Sequence, residues 1–380
     1  LFLSATPHNG HSNSFSALLE ILDPQRFCRG VPVKTKKLLD DVMVRRLKED
    51  IRSVQGGFPV RKVEQIDIDG LPDHAPELRL SALLNQYRDY WGNRLEDATA
   101  RQQSVAKLLV SGLQQRLLSS IEAFARTLKV HRRTIERRQQ ESTSKTTPSI
   151  FDLVRNEPDA DDDRATQPPE ELNREQDAQV EAASAAMGES ANDGLVLLEE
   201  MTRIAEESRF KPDARVRKLI EWIQTNLLKD SKQWADRRVL IFTEYEDTLR
   251  YLREQLESAL CRTDRAAERV GIYRGSTPAA DRKEIKRAFN ADPRKYPIRI
   301  LLCTDAAREG LNLQTHCADL FHFDVPWNPS RMEQRNGRID RKLQPSLEVR
   351  CHYFFYSQRP EDRVLQALVR KTEVIKKELG

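Results

Sequence analysis

Phe323-Asp324-Val325-Pro326-Trp327-Asn328-Pro329-Ser330-Arg331-Met332-Glu333-Gln334-Arg335-Asn336-Gly337-Arg338-Ile339-Asp340-Arg341 decides how the rest of the chain is read. If residues 330–341 form one helix, Gln334, Arg338 and Arg341 stand at i, i+4 and i+7 and share a narrow arc of one face. Met332 and Ile339 share the opposite, apolar face. Such a helix is anchored by one side and presents two guanidiniums and an amide on the other. Arginine stays charged and offers a planar fork of donors that suits phosphate oxygens. An Arg-rich helix face on its own is ordinarily just solvated. The neighbours reverse that reading: the apolar run Leu320-Phe321-His322-Phe323 leads into Asp324, then a Pro-Trp-Asn-Pro turn, then the helix.

Outward from this segment, short apolar runs alternate with amphipathic helices. The pattern predicts helix 213–229, strand 238–243, helix 247–260, strand 270–273, helix 279–290 and strand 298–303. A loop and short helix (304–315), strand 319–323, helix 329–341, strand 347–356 and helix 361–379 follow. Strict alternation with short apolar strands argues for an α/β fold, a parallel sheet with helices on both faces. Ligands of such sheets gather at the carboxyl ends of the strands. Thr243, Arg274-Gly275, Thr304-Asp305 and Asp324 all fall just past expected strand ends.

The first half reads differently. Residues 1–30 suggest strand, loop and a short helix with an apolar stripe of Phe15, Leu18, Leu19 and Leu22, ended by Pro24. Residues 37–55 suggest a bent helix carrying Arg45, Arg46 and Lys48, and 60–68 alternates as a strand does. From Pro76 to about Gln140 the pattern is helical, with Arg126, Lys129, Arg132, Arg133, Arg137 and Arg138 at its end. The acidic, proline-bearing stretch that follows has few apolar anchors to offset chain entropy, so 142–175 is expected to be mostly disordered. A second helical stretch, 181–207, leads back to the sheet.

The chain has 63 basic and 59 acidic residues, a net charge of +4, so overall charge does not establish nucleic-acid binding. No apolar run approaches the ~20 residues of a membrane span. Five cysteines form no C-x-x-C pair, and three fall in expected strands or core segments; buried free thiols and a reducing cytoplasm fit best. His8 and His11 have no partner ligands at a suitable spacing, so no metal is expected on protein ligands here.

The opening segment resembles the last motif of superfamily-two helicases in its Swi/Snf form, Q-R-x-G-R-x-x-R, behind a Trp-Asn-Pro turn. Leu1-Phe2-Leu3-Ser4-Ala5-Thr6-Pro7 resembles the Ser-Ala-Thr motif that ends the first motor lobe. Val239 to Tyr245 is similar to the strand that opens the second lobe, and Leu302 to Gln314 resembles the fifth motif. The wording is nearest the RapA-like bacterial branch, which includes the DrmD helicases of the DISARM phage-defence system. The resemblance covers residues 1–70 and 212–356. It implies the end of a first RecA-like lobe and connecting segment (1–70), a helical insertion (71–211), a second RecA-like lobe (212–356) and a carboxy-terminal helix (357–380).

The resemblance further implies an ATP-driven motor on double-stranded DNA, with other defence-system or DNA-bound proteins as further partners. Arg338 and Arg341 would be arginine fingers. Gln334, Glu309 and Gly310 would contact ATP, with Arg308 departing from the usual small residue. Ser4, Thr6, Arg274, Gly275, Thr304 and Trp327 would meet nucleic-acid phosphates, and Arg45, Arg46, Lys48 and the 126–138 cluster could follow the duplex. No G-x-x-x-x-G-K-[ST] loop and no Asp-Glu-x-His box is present, so the ligands of phosphate and magnesium are expected in a lobe preceding Leu1. The alternatives are an RNA- or single-strand-directed helicase, a non-catalytic binding module, and a nicotinamide-binding domain, the last disfavoured because no strand runs into G-x-G-x-x-G.

Overall fold

The computed structural model describes residues 12–33, 36–44, 57–140, 168–187, 192–305 and 312–378. Ser4, Thr6, Arg45, Arg46, Lys48, Glu309 and Gly310 lie outside them. The described chain begins with α1 (Ser12–Leu22), α2 (Lys36–Asp40) and β1 (Val60–Ile68). Five helices follow: α3 (Pro76–Arg94), α4 (Ala100–Ser119), α5 (Ile121–Gln140), α6 (Pro169–Ala186) and α7 (Asn192–Ser208). The remainder alternates: α8 (Ala214–Leu227), β2 (Arg238–Thr243), α9 (Glu246–Leu260), β3 (Val270–Tyr273), α10 (Ala279–Asn290) and β4 (Ile300–Thr304). It ends with β5 (Cys317–His322), α11 (Pro329–Asn336), β6 (Glu348–Tyr356) and α12 (Pro360–Glu378).

The six strands form one sheet in the order β1-β6-β5-β2-β4-β3, and every neighbouring pair is parallel. Period-two side-chain alternation builds both of its faces. Val239 and Ile241 pack with Leu219, Ile223 and Leu252 on one side. Leu240 and Phe242 pack with Phe289 and Ile339 on the other. Helices therefore cover both faces, as the apolar runs require, and the fold is the RecA-like α/β sheet. Cys303, Cys317 and Cys351 are buried in these strands as free thiols, and Cys28 and Cys261 are exposed.

Two sequence boundaries shift. Val60–Ile68, grouped above with the connecting segment, pairs with β6 along its whole length and is the edge strand of this sheet. The expectation of disorder over 142–175 fails from Pro169 on, where α6 begins, and 142–167 lie outside the described residues. Pro at the first helical position and Glu170 and Glu171 in the first turn suit a helix start: the missing N–H costs nothing there and the carboxylates meet the positive end of the dipole.

The five helices α3–α7 share their own apolar core, with Leu80, Leu113, Phe124, Leu128 and Met201 almost fully enclosed. α4 starts in a capping box between Thr99 and Gln102. Ser120, extended at φ −161°, ends α4, and its hydroxyl caps α5 by accepting from the Ala123 N–H at 3.0 Å. Inside the bundle, His131 lies between Tyr87 (2.7 Å) and Ser184 (2.7 Å). Ser184 donates its only proton to the Val180 carbonyl at 2.6 Å. His131 must then donate from Nδ1 to Ser184 and accept from Tyr87 at Nε2, which is the neutral imidazole.

Burial pushes the His131 imidazole down to about 4. Its folded pKa lies below the unfolded value near 6.5, so its contribution is full above about 6.5 and is lost as pH falls towards 4. The loss is on the order of 3 kcal/mol. Urea denaturation of the wild type at pH 7 and pH 4.5 should show a steeper stability decline than that of His131→Gln. Parallel declines would mean that His131 is not held neutral.

Candidate functional site

Three adjacent strands, β5, β2 and β4, end at one place. Thr243 of β2 pairs in register with Thr304 of β4, and Phe323, just past β5, donates its N–H to the Phe242 carbonyl. Asp324 sits over these ends, 6% exposed. Its carboxylate accepts from Thr243 Oγ1 at 2.5 Å, from the Glu244 N–H at 2.9 Å and from Ser119 Oγ at 2.6 Å. Arg335 reaches the same carboxylate at 3.4 Å and clasps Asp305 with two bonds of 2.6 Å. One guanidinium thus ties α11 to the ends of β4 and β5. Burial opposes the Arg335 charge, but Asp305 and Asp324 outweigh it and hold its pKa above the ordinary value.

Local sequence explains where α11 starts. Asn328 Oδ1 accepts from the Ser330 N–H at 2.9 Å, and Pro329 takes the first helical position. Its end corrects the sequence reading. The helix stops at Asn336, and residues 337–341 run in tight turns closed by Arg338 N–H to Arg335 O and Ile339 N–H to Asn336 O. Gln334, Arg338 and Arg341 therefore do not share one helical face. The cause is tertiary: Ile339 is drawn into the apolar cluster under the sheet, and Asp340 faces Arg61 of β1 at 3.7 Å. Arg61 also grips Glu333 with two bonds of 2.9 and 3.1 Å, so the edge strand holds both α11 and the turn after it.

The turn still brings the two expected fingers to one stretch of backbone. The Leu313 N–H donates to the Arg338 carbonyl, and Arg341 donates to Asn312 Oδ1 and to the Gly337 carbonyl. Asn312 and Leu313 follow directly on residues 306–311, where Glu309 and Gly310 stand. Arg338 is buried, and Arg341 and Gln334 are half-buried. Among the described residues Arg341 bonds to neutral oxygens only, so its charge meets no carboxylate. A guanidinium in that state suits an anionic ligand such as phosphate.

The expected nucleic-acid residues form a second line along the same strand ends. Thr304 is buried at the end of β4. Arg274, one residue past β3, is half-exposed and pairs with Glu246, while Arg282 bonds to the Gly275 carbonyl. Trp327 is 38% exposed, so it is not a core residue. The 126–138 cluster splits: Arg126 is engaged by Asp177 and Asp247 and Arg132 by Glu136, while Lys129, Arg133 and Arg137 face solvent.

Sequence reasoning missed Arg335, Arg61 and Glu244. Arg335 follows Met332 by three residues and precedes Ile339 by four, so its place on the apolar arc was legible. Glu244, held to Arg331 at 2.9 Å, borders a cavity of about 270 Å³ shared by Trp327, Arg331, Arg116 and Leu109. Burial, reinforced by the Asp305 and Asp324 carboxylates, pushes the Glu244 carboxyl up to about 8.

Residues 216–342, which hold β2 to β5, α11 and the turn after it, match the helicase conserved C-terminal domain. Among curated proteins the chain is 33% identical over 145 residues to the uncharacterized ATP-dependent helicase YqhH of Bacillus subtilis, over 38% of this chain and 24% of that protein. It is 28% identical over 122 residues to the RNA polymerase-associated protein RapA of Yersinia enterocolitica, over 32% of this chain and 11% of RapA. The chain spans less than a quarter of these relatives. A solved structure, the C-terminal part of the Fun30 ATPase domain, aligns at a TM-score of 0.45 and 13% identity, over 84% of this chain and 98% of that one. No helix among the described residues is long and apolar enough to cross a membrane.

Removing Arg335 would leave buried Asp324 and half-buried Asp305 without a cation among the described residues. Arg335→Ala should cost about 3–5 kcal/mol in urea denaturation. Arg335→Lys should recover little of it, because one ammonium cannot reproduce the fork. Near-wild-type stability of either variant would contradict this assignment.

Proposed function

We propose that this chain is the carboxy-terminal motor part of an ATP-dependent, double-stranded DNA translocase or helicase of Swi/Snf type acting in the cytoplasm. The observation that carries the reading is the turn 337–341. It holds Arg338 and Arg341 beside Asn312 and Leu313, at the carboxyl ends of a parallel sheet, with Arg341 uncompensated by a carboxylate among the described residues. ATP and its magnesium would be bound chiefly by a first lobe. This lobe supplies Arg338 and Arg341 to the charge that builds on the transferred phosphoryl group, with Gln334, Glu309 and Gly310 on the nucleotide side. Such charge is worth meeting only in the transition state, which makes the arginines matter for turnover more than for binding.

Thr304, Arg274, Gly275 and Trp327 would line the DNA path together with Ser4 and Thr6. Hydroxyls, amides and guanidiniums at strand ends suit phosphates and not base edges, so little sequence preference is expected. Action on DNA-bound proteins, and a place in phage defence, rest on the wording of the motifs alone.

The test is ATP turnover by the full-length protein with and without duplex DNA. Arg338→Ala and Arg341→Ala should each lower turnover by roughly 10³-fold or more, with duplex affinity nearly unchanged. The 380-residue chain by itself should not turn over ATP. Near-normal turnover in either variant would remove the finger assignment, and a full-length protein without DNA-stimulated turnover would favour a non-catalytic binding module.

A further inference from the structure

We propose that Ser119, in the helical insertion, is a positioning residue for the arginine-bearing turn, so that the insertion is coupled to the motor site instead of merely joined to it. The inference rests on the reading of Arg338 and Arg341 above, but its geometry stands independently.

Four hydroxyl and carboxylate groups form a chain from the α4–α5 elbow to the strand ends. Ser119 Oγ lies 2.6 Å from Asp324 Oδ2 and 2.7 Å from Thr248 Oγ1, and Ser120 Oγ lies 2.7 Å from the same Thr248 oxygen. Ser119, Ser120 and Thr248 are at most 1% exposed. Their proton directions follow by elimination. A carboxylate only accepts, so Ser119 gives its single proton to Asp324. Thr248 must then donate to Ser119, and Ser120 must donate to Thr248. Ser120 also accepts from the Ala123 N–H, which uses one of its two lone pairs. Every member donates in one direction, towards Asp324, and such chains strengthen each link.

The elbow itself is fixed by the motor domain. Arg215 of α8, 4% exposed, donates to the carbonyls of Leu118 at 2.6 Å and Ser119 at 2.7 Å, which satisfies two carbonyls at the end of α4. Its guanidinium lies 4.6 Å from the Phe323 ring centroid. Leu118 packs with Val325 and Met332, on either side of the Pro-Trp-Asn-Pro turn. The insertion thus touches the strand-end segment at Asp324 and after it, while Arg215 ties the same elbow to Phe323 just before it. From Asp324 the path continues through Arg335 into α11 and the turn with Arg338 and Arg341.

A simple packing contact would not need a donor at Ser119. Truncating it leaves Asp324 with Thr243, Glu244 and Arg335, so the fold should survive while α11 loosens. Amide hydrogen exchange of the 380-residue chain reads this directly. In Ser119→Ala, the amides of Glu244 and of Arg338, Ile339 and Asp340 should exchange about tenfold faster, the order expected for losing one hydrogen bond to a charged group. The ladder amides of β2 and the amides of α3 and α7 should be unchanged. Thr248→Val, one link farther away, should give the same pattern with a smaller increase. In the full-length protein Ser119→Ala should lower kcat for ATP and leave KM unchanged.

Unchanged exchange at 338–340, or a uniform increase across sheet and bundle, would overturn the proposal. So would an effect of Thr248→Val equal to or larger than that of Ser119→Ala. The exchange is measured without nucleotide. A full-length wild type that fails to hydrolyse ATP would therefore overturn the proposed function, and the exchange pattern would still decide the coupling.

Discussion

The Asp324 carboxylate is the interaction on which the other parts depend. A buried charge at the end of a parallel sheet is costly unless it is surrounded by donors. Here the donors come from separate units: a threonine hydroxyl and a backbone amide from β2 and its following loop, a serine from the insertion, and a guanidinium from α11. Satisfying one carboxylate therefore fixes the relative positions of three strand ends, a helix and the insertion. The arrangement also explains why Arg335 is enclosed although it is charged: it neutralises Asp305 and Asp324 together.

Around this centre the polar contacts divide into two kinds. Pairs such as Arg335–Asp305 and Arg61–Glu333 hold elements in place, and their buried members could not be released without leaving a charge in the interior. Arg341 is different, since its partners among the described residues are neutral. Trp327 is exposed, and Arg274 is half-exposed although it pairs with Glu246. The rigid set positions the open set, which is the division expected where a ligand supplies the missing charge.

Much of the sheet was legible because strands buried on both faces are written as continuous apolar runs, as at 239–242, 300–303 and 320–323. The strand-end positions of Thr243, Thr304 and Asp324 followed from those runs. The end of α11 was not legible. Helical periodicity continues through Arg341, Gly337 keeps a helical φ of −61°, and the chain departs from the helix only because Ile339 and Asp340 have partners elsewhere. The partner of β1 was equally hidden, since its alternation identifies an edge strand and not the sheet it joins. At Pro168 to Glu171 composition misled, because an acidic proline-bearing stretch serves equally as linker or as helix start. The Ser119–Asp324 contact joins positions far apart in the chain, and no local pattern marks it.

The most direct test of this account is calorimetric unfolding of the 380-residue chain with the single change Asp324→Asn. If Asp324 joins sheet, α11 and insertion into one cooperative unit, the wild type should unfold in one transition. The variant should show two, with the five-helix bundle and the sheet melting separately. A variant that melts in one transition close to the wild-type temperature would contradict the central role of this carboxylate.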